Sequence, residues 1–232
     1  MACAGNGSST RTSLCASFTS TPVESRVGES HTEGSCWVAE FVCGVREKTP
    51  NYLSACKNLS EYQETSYCVL HFPGEEKEDF EQVKKDKLER EDYDFGGTVF
   101  PEGTSDFSRF VFDGNADFTG AAFVGEADFH GAQFSGEGTF FVGAQFRGES
   151  TDFSEAGFSA GSTHFTGAQF NGKSTDFSGT QFGSAETSFQ EASFAKEVYF
   201  SGVTFGEKVT FWGTQGNRVF GPGAWAQFDR PG

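Results

Sequence analysis

The stretch Ala116-Asp-Phe-Thr-Gly-Ala-Ala-Phe-Val-Gly-Glu-Ala-Asp-Phe-His-Gly-Ala-Gln-Phe-Ser-Gly136 decides the fold of this chain. A phenylalanine recurs in it every five or six residues. The pattern continues from Phe95 to Phe211, in steps of five that alternate with steps of six or seven. A helix requires apolar spacings of three and four, which these steps do not supply. Self-similarity at a short fixed period is typical of a solenoid built from stacked coils.

A small or β-branched residue stands two positions before almost every phenylalanine of this pattern. Ala116 precedes Phe118 in this way, and Thr151 precedes Phe153. Side chains alternate across an extended backbone, so these two positions point to one side and the residue between them points to the other. We therefore expect both positions to face the interior. Glycine often follows two residues after the phenylalanine, where a chain that turns a corner needs its conformational freedom.

These units resemble the pentapeptide-repeat family, whose repeat is Ala-(Asp/Asn)-(Leu/Phe)-x-x. The resemblance covers residues 93–211. It implies an all-β solenoid, namely a right-handed quadrilateral β-helix with four short faces per coil. Four consecutive steps sum to 22–24 residues here, which is longer than four strict pentapeptides, so extra residues are expected to bulge from alternate corners. A flatter coil with two strands per turn is the alternative.

Composition indicates a single narrow core. The chain holds 29 phenylalanines but one methionine. An ordinary core mixes aliphatic shapes to fill space, whereas stacked coils place identical rings in identical environments. Each buried phenylalanine is expected to stabilise the fold by about 1.5–3 kcal/mol.

The chain is strongly acidic, with a formal net charge of −16 over 232 residues. Such a surface repels nucleic acid and anionic membranes, so we expect neither direct nucleic-acid binding nor membrane binding. The sequence contains no apolar run long enough to span a bilayer and no signal-peptide core at its start. We expect a cytoplasmic protein whose partner is another protein.

Composition also divides the chain into five segments. Residues 1–32 are rich in serine, threonine and glycine and are predicted to form a disordered tail. A cysteine-rich head over 33–74 and a capping helix over 75–92 come before the β-helix of 93–211. Residues 212–232 are predicted to be a C-terminal cap or tail.

The predicted helix over 75–92 follows Pro73-Gly74 and has acidic residues in its first turn. Phe80, Val83 and Leu88 lie near one stripe of this helix. Because it leads directly into the repeats, it can cover the open end of the first coil, whose unpaired edge would otherwise invite aggregation. An independent, solvated helix is the alternative.

All six cysteines precede the repeats, as expected for a separate small module. Cys68 and His71 form a Cys-x-x-His pair, a spacing that lets both bind one tetrahedral Zn²⁺ ion. We predict that Cys36 and Cys43 complete a Cys₃His site, with Cys56 as a competing ligand. Structural thiols and a disulfide are the alternatives to zinc. A head with so few aliphatic residues would draw folding free energy from the metal, and it is expected to melt separately from the solenoid.

No phosphate-binding loop, metalloprotease helix or nucleophile elbow occurs in the sequence. His130 and His164 lie on strand positions of opposite parity, and we identify no serine or cysteine nucleophile whose register forces contact with them. We therefore predict a non-catalytic protein, a rigid acidic scaffold for protein-protein interaction. Resemblance to the quinolone-resistance members of the family implies an alternative, a DNA-mimicking protein that binds type II topoisomerase (DNA gyrase).

The four-faced register also predicts an interaction face, because it places one outward row of carboxylates, Asp106, Asp128, Asp152 and Asp176. Carboxylates stacked about 4.8 Å apart repel. We therefore expect some pKa values in the row to be raised unless cations or a basic partner neutralise the charge. The alternative is that the carboxylates are merely solvated, or that each one caps a local turn.

Overall fold

The computed structural model describes residues 55–56, 59, 61–63, 66–74 and 76–220, with the backbone alone for 217–220. It shows a parallel β-solenoid preceded by one α-helix among these residues. The predicted tail, the ligand candidates Cys36 and Cys43, and residues 221–232 lie outside the described part of the chain.

The helix, α1, spans Phe80–Glu89 and is shorter than the predicted range of 75–92. The residues before it form a turn, in which the Phe80 amide donates to the Lys77 carbonyl oxygen at 3.2 Å and the Glu78 amide donates to the Tyr62 hydroxyl at 2.9 Å. At the other end, Glu91 adopts a left-handed conformation with φ of 56°, which ends the helix.

Nineteen short strands form four faces that recur in every coil. Face 1 contains β3 (Ala116–Asp117), β7 (Gly138–Phe140), β11 (Ser162–His164), β15 (Glu186–Ser188) and β18 (Lys208–Thr210). Face 2 contains β1 (Val99–Phe100), β4 (Ala122–Phe123), β8 (Gln145–Phe146) and β12 (Gln169–Phe170). Face 3 contains β5 (Ala127–Asp128), β9 (Ser150–Asp152) and β13 (Ser174–Asp176). Face 4 contains β2 (Val111–Phe112), β6 (Gln133–Phe134), β10 (Gly157–Phe158), β14 (Gln181–Phe182) and β17 (Thr204–Phe205).

Two longer strands pass through the corner between faces 2 and 3. They are β16 (Ser193–Tyr199) and β19 (Gln215–Phe220), and they join these two faces into one nine-stranded sheet. Each strand pairs in parallel with the equivalent strand of the next coil, as when Phe134 aligns with Phe158 and Phe158 with Phe182. The pairing repeats after one full coil, so every outward side chain belongs to a row along the solenoid.

The phenylalanine rings stack in four columns, one behind each face. Successive rings in a column lie 4.6–5.4 Å apart between centroids, with their planes within 12° of parallel. Rings of different columns meet edge to face, as Phe118 and Phe129 do at 5.6 Å and 85°. Members of one column are 22–24 residues apart, which confirms the four-faced coil and excludes the two-stranded alternative.

The positions two before the phenylalanines point inward, as predicted. Ala116, Ala132 and Thr163 are fully buried beside the rings. A small side chain there leaves room for the neighbouring ring, which allows close packing through the whole column. The core is continuous from the head residues Cys68 and Leu70 to Phe211.

Glycines at the corners have two different roles. On faces 1 and 3, the residue two after the phenylalanine has a positive φ, as at Gly143 with φ of 64°. On faces 2 and 4 the equivalent glycine is needed for space, since a Cβ on Gly148 would overlap the carbonyl group of Gly125 in the preceding coil. The prediction that corner glycines provide left-handed backbone is therefore confirmed for the corners after faces 1 and 3. At the corners after faces 2 and 4, glycine is explained by the close approach of successive coils.

Helix α1 covers the open end of the first coil, as predicted, and is not an independent solvated helix. Phe80 meets Phe100 edge to face at 5.5 Å. The predicted stripe is present but incomplete: Val83 and Leu88 are half-buried against the core, and Lys84 and Lys87 are the other buried residues of the helix. The faces of the first-coil rings attract cations, and the lysine stems cover apolar surface.

Candidate functional site

A tight turn brings Cys68 and His71 together. The amides of His71 and Phe72 both donate hydrogen bonds to the Cys68 carbonyl oxygen, at 3.1 and 2.9 Å. This turn places the Cys68 Sγ atom 3.2 Å from the His71 Nδ1 atom. Cys56 is the third member of the group, and the three potential ligand atoms all lie within 4.8 Å of one another.

Contact with the solenoid fixes the orientation of the His71 ring. Its Nε2 atom lies 2.8 Å from the carbonyl oxygen of Gly96 in the first coil. A carbonyl oxygen only accepts hydrogen bonds, so Nε2 donates to it, and in the neutral ring the lone pair of Nδ1 faces the Cys68 sulfur atom. Metal-binding histidines are commonly held in this way by a second hydrogen bond.

The three potential ligand atoms of this cluster lie close enough together to bind one metal ion. Zinc bonds of about 2.3 Å to sulfur and about 2.0 Å to nitrogen hold ligand atoms about 3.5 Å apart, and the Cys68 and His71 atoms lie at 3.2 Å. Cys68 and His71 are buried and Cys56 is half-buried. Of the four predicted ligands, the structure thus brings two together and adds Cys56, and it does not describe Cys36 and Cys43.

The segment that carries the cluster also binds the edge of the first coil. The Val99 amide of β1 donates to the Leu70 carbonyl oxygen at 2.9 Å. Lys77 Nζ donates to the carbonyl oxygens of both Leu70 and Val99, at 3.0 and 2.6 Å. Burial lowers the pKa of Lys77 to about 7, and the Cys68 side chain opposes this shift.

The sequence pattern did not predict that three lysines, Lys77, Lys84 and Lys87, are buried at the amino-terminal end of the solenoid. Lys77 Nζ lies 5.0 Å from the ring centroid of Phe80, and Lys84 and Lys87 lie 5.5 Å from those of Phe107 and Phe95. Lys84 and Lys87 follow Phe80 by four and seven residues, which is the signal of one helical stripe. The spacing thus indicated that both lysines lie on the buried stripe, but the charge of lysine favoured placing them on the solvated face of the helix.

The predicted acidic row is present on face 3. Asp106 aligns with Asp128, Asp128 with Asp152, and Asp152 with Asp176, each one coil further along. Tyr199 follows Asp176 in the same register and donates a hydrogen bond to Glu197 at 2.7 Å, which raises the pKa of the Tyr199 phenol. The row is therefore continuous over four coils.

Each carboxylate of this row caps its own corner. The Oδ1 atoms of Asp128, Asp152 and Asp176 accept hydrogen bonds from the amides two residues later, at 2.7–2.8 Å. Asp106 accepts hydrogen bonds from the amide and the hydroxyl group of Ser108, and these bonds lower its pKa. The pKa of Asp106 is thus lowered and not raised, because the Ser108 donors within the turn stabilise its charged form more than burial destabilises it.

The same capping occurs on face 1, on the opposite side of the coil. Asp94 and Asp117 accept hydrogen bonds from the amides two residues later, at 3.1 and 2.8 Å. Asp117 is followed in its row by Phe140 and His164, whose rings stack at 5.6 Å. The aspartates that precede phenylalanines on faces 1 and 3 therefore have a structural role, because they cap the turns at the corners with positive φ.

His130 does contact a serine, although its register in the sequence does not force this contact. Its Nδ1 atom lies 3.0 Å from Ser154 Oγ in the next coil, and its Nε2 atom lies 3.9 Å from Glu155 Oε2. The turn amides around this group are occupied, since Glu155 N donates to Ser178 O and Gly131 N donates to Ser154 O. No oxyanion-binding donor is thus supplied by these two amides.

Comparison with protein-family models, with curated proteins and with solved structures gives no match to this chain. The fold alone therefore defines the class of protein, a repeat protein with a parallel β-solenoid of about five coils. None of the described helical residues form a segment with the length and apolar character that crossing a membrane requires.

Proposed function

We propose that this chain is a pentapeptide-repeat protein that acts as a non-catalytic, rigid, acidic scaffold for protein-protein interaction in the cytoplasm. The observation that carries the proposal is the row of four aspartates on face 3, set one coil apart on a continuous aromatic core. A rigid row of side chains loses little conformational entropy when a partner binds it.

The corner next to this row adds to its negative charge. Glu102, Glu126 and Glu149 lie along the corner between faces 2 and 3, where Arg147 offsets one of the three charges. Lys173 interrupts the series and binds Glu149 at 2.5 Å. Face 3 with this corner therefore complements a basic surface, and the kind of partner that it fits is a protein with a lysine- or arginine-rich patch.

Affinity capture with a matched variant tests this proposal. The variant replaces Asp106, Asp128, Asp152 and Asp176 by asparagine, which keeps the turn-capping oxygen and removes the charge. We expect proteins captured by the wild-type chain at low salt to be lost with the variant. A parallel variant on face 4, Gln133→Ala with Gln181→Ala, should retain them. Capture that is equal for all three chains would contradict a role of the acidic row.

DNA mimicry is the second candidate, and the same continuous row is the observation that favours it. The row carries one charge per coil, or about one per 4.8 Å. Duplex DNA carries about one per 1.7 Å. A single row thus has about a third of the charge density of DNA, which makes the scaffold the better supported function. Inhibition of DNA gyrase supercoiling by the wild-type chain, but not by the asparagine variant, would reverse this order.

We further propose that Cys56, Cys68 and His71 bind a structural Zn²⁺ ion, with Cys36 or Cys43 as the fourth ligand. The support is the convergence of two sulfur atoms and an oriented imidazole nitrogen in a largely buried site. The metal would supply folding free energy to the head.

Metal analysis of purified protein tests the zinc proposal. We expect about one zinc ion per chain, and its loss in Cys56→Ser, Cys68→Ser and His71→Ala. Cys15→Ser, which changes a cysteine of the predicted tail, is the control and should keep the metal. Comparison of Cys36→Ser with Cys43→Ser identifies the fourth ligand. Metal-free protein from zinc-replete medium would refute the site.

A further inference from the structure

The first coil has no preceding coil, so the head and the helix meet its edge instead. The Val99 amide donates to Leu70, and the Val99 carbonyl oxygen accepts from Lys77. The Thr104 carbonyl oxygen accepts a hydrogen bond from Lys84 Nζ at 2.5 Å. Unpaired groups at the edge of a sheet bind other strands, so this covering is what closes the nine-stranded sheet at β1.

Two of the covering groups belong to the short segment that holds the metal ligands. Leu70 lies between Cys68 and His71, and its carbonyl oxygen accepts the hydrogen bond of the β1 edge. His71 binds the cluster through Nδ1 and the first coil through Nε2, at 3.2 and 2.8 Å. Displacement of Cys68 or His71 therefore moves the Leu70 carbonyl oxygen or the His71 ring, and both of these groups cover the edge of the first coil.

The hydrophobic core also connects the segment that carries the cluster to the first coil. Cys68, Val69 and Leu70 are buried and belong to the hydrophobic core that also contains Phe95 and Phe100. There is no separate core between the cluster and the first coil among the described residues. A change in the position of this segment is thus transmitted by direct contact and needs no long pathway.

We infer that metal binding at Cys56, Cys68 and His71 closes the amino-terminal edge of the solenoid, and that metal loss uncovers β1. The inference rests on the zinc site proposed above and adds a consequence to it. Metal occupancy sets the exposure of a strand edge, through the Leu70 carbonyl oxygen and the His71 ring. His71 acts both as a ligand and as a positioning residue for the first coil.

Hydrogen exchange of the full chain, with the metal content of each sample measured in parallel, tests this inference. Removal of the metal by a chelator should speed exchange in a peptide that contains the Val99 amide by about tenfold or more. A peptide over β9 and β10, in the middle of the solenoid, is the internal control and should be accelerated by a smaller factor than the Val99 peptide. Unchanged exchange at Val99 in a chain that has lost its metal would overturn the inference and leave the zinc site standing.

His71→Cys separates the two roles of His71. Cysteine can still bind the metal but cannot reach Gly96 with a ring nitrogen. We expect this variant to retain zinc and yet to exchange faster than wild type between residues 95 and 100. Wild-type exchange in a metal-loaded His71→Cys chain would show that the ring does not transmit closure. A wild-type chain that binds no metal would refute both proposals.

Discussion

Phe153 stacks on Phe177 of the next coil, with their ring centroids 5.2 Å apart and their planes 5° from parallel. Phe153 also stacks on Phe129 of the preceding coil at 4.8 Å and is fully buried. Parallel strands on either side hold these rings in place, so neither neighbour can move into a space left between them. The column is therefore sensitive to the loss of a single ring.

We predict that Phe153→Ala lowers the free energy of unfolding by about 3–5 kcal/mol, because the coils cannot collapse into the cavity. Urea denaturation followed by circular dichroism measures this change. Ala132→Leu tests the same packing from the other side, since Ala132 is fully buried and a larger side chain would overpack the column. Wild-type stability of both variants would contradict the packing shown here.

The extent to which the sequence predicts this structure differs between the solenoid and the cap. Phe118 and Phe141 occupy equivalent positions in successive coils, so a local pattern read once predicts the whole fold. The cap contains no repeat. The burial of Lys84 depends on the ring of Phe107, which is far away in sequence and becomes a neighbour only after the coil has formed.

The candidate sites show the same limit. Cys68 and His71 are linked by a local turn, and their spacing was sufficient to pair them. Cys56 joins them through tertiary structure, for which the sequence holds no periodic signal. The acidic row followed from the register, but its hydrogen bonds to turn amides depend on backbone geometry that only the structure shows.

Our second prediction concerns the pH dependence of stability at Asp106. Its pKa is lower in the folded chain than the ordinary value of 3.8. Asp106 therefore stabilises the fold above pH 3.8, and this contribution is lost as the pH falls through the lower, folded-state pKa. Asp106→Asn keeps a capping oxygen but does not titrate. We expect the stability advantage of wild type over this variant to shrink on acidification, in urea titrations at a series of pH values.

Ser108→Ala is the companion variant, because the Ser108 hydroxyl donates to Asp106 at 2.7 Å and is the main cause of the lowered pKa. The difference in the free energy of unfolding between Ser108→Ala and Asp106→Asn should depend less on pH than the difference between wild type and Asp106→Asn. An advantage of wild type that is constant from neutral to acidic pH would show that Asp106 gains no stabilisation from ionisation in the fold.

The third prediction concerns the three corners where a residue other than glycine has positive φ. Glu155 has φ of 58°, whereas Gly179 occupies the same corner of the next coil with φ of 71°. Glu155→Gly should raise the free energy of unfolding by about 1 kcal/mol, because left-handed backbone costs little for glycine. Glu155→Ala is the control and should bring no such gain. Gly179→Ala should destabilise the chain, and thermal melting measures all three.

The fourth prediction compares two neighbouring lysines of α1. Lys84 is buried over Phe107 and donates to Thr104, whereas the side chain of Lys85 is 66% exposed. Lys84→Met should lower the free energy of unfolding by about 1–3 kcal/mol, because the Thr104 carbonyl oxygen loses its buried partner. Lys85→Met should change it by less than about 0.5 kcal/mol. Equal effects of the two variants in urea denaturation would mean that the ammonium group does not stabilise the first coil.

The last prediction concerns how the head and the solenoid unfold. The sequence suggested two separate transitions, but the cluster residue Cys68 shares one buried core with Phe95 and Phe100. Removal of the metal should therefore lower the Tm of the β signal at the first coil as well as unfold the head, in a single shifted transition. Calorimetry with and without a chelator measures this shift. Cys68→Ser, which removes a proposed ligand, should melt like the chelated wild type and respond no further to chelator. Two transitions, of which only the smaller one moves with metal, would show that the head folds independently of the coil that it covers.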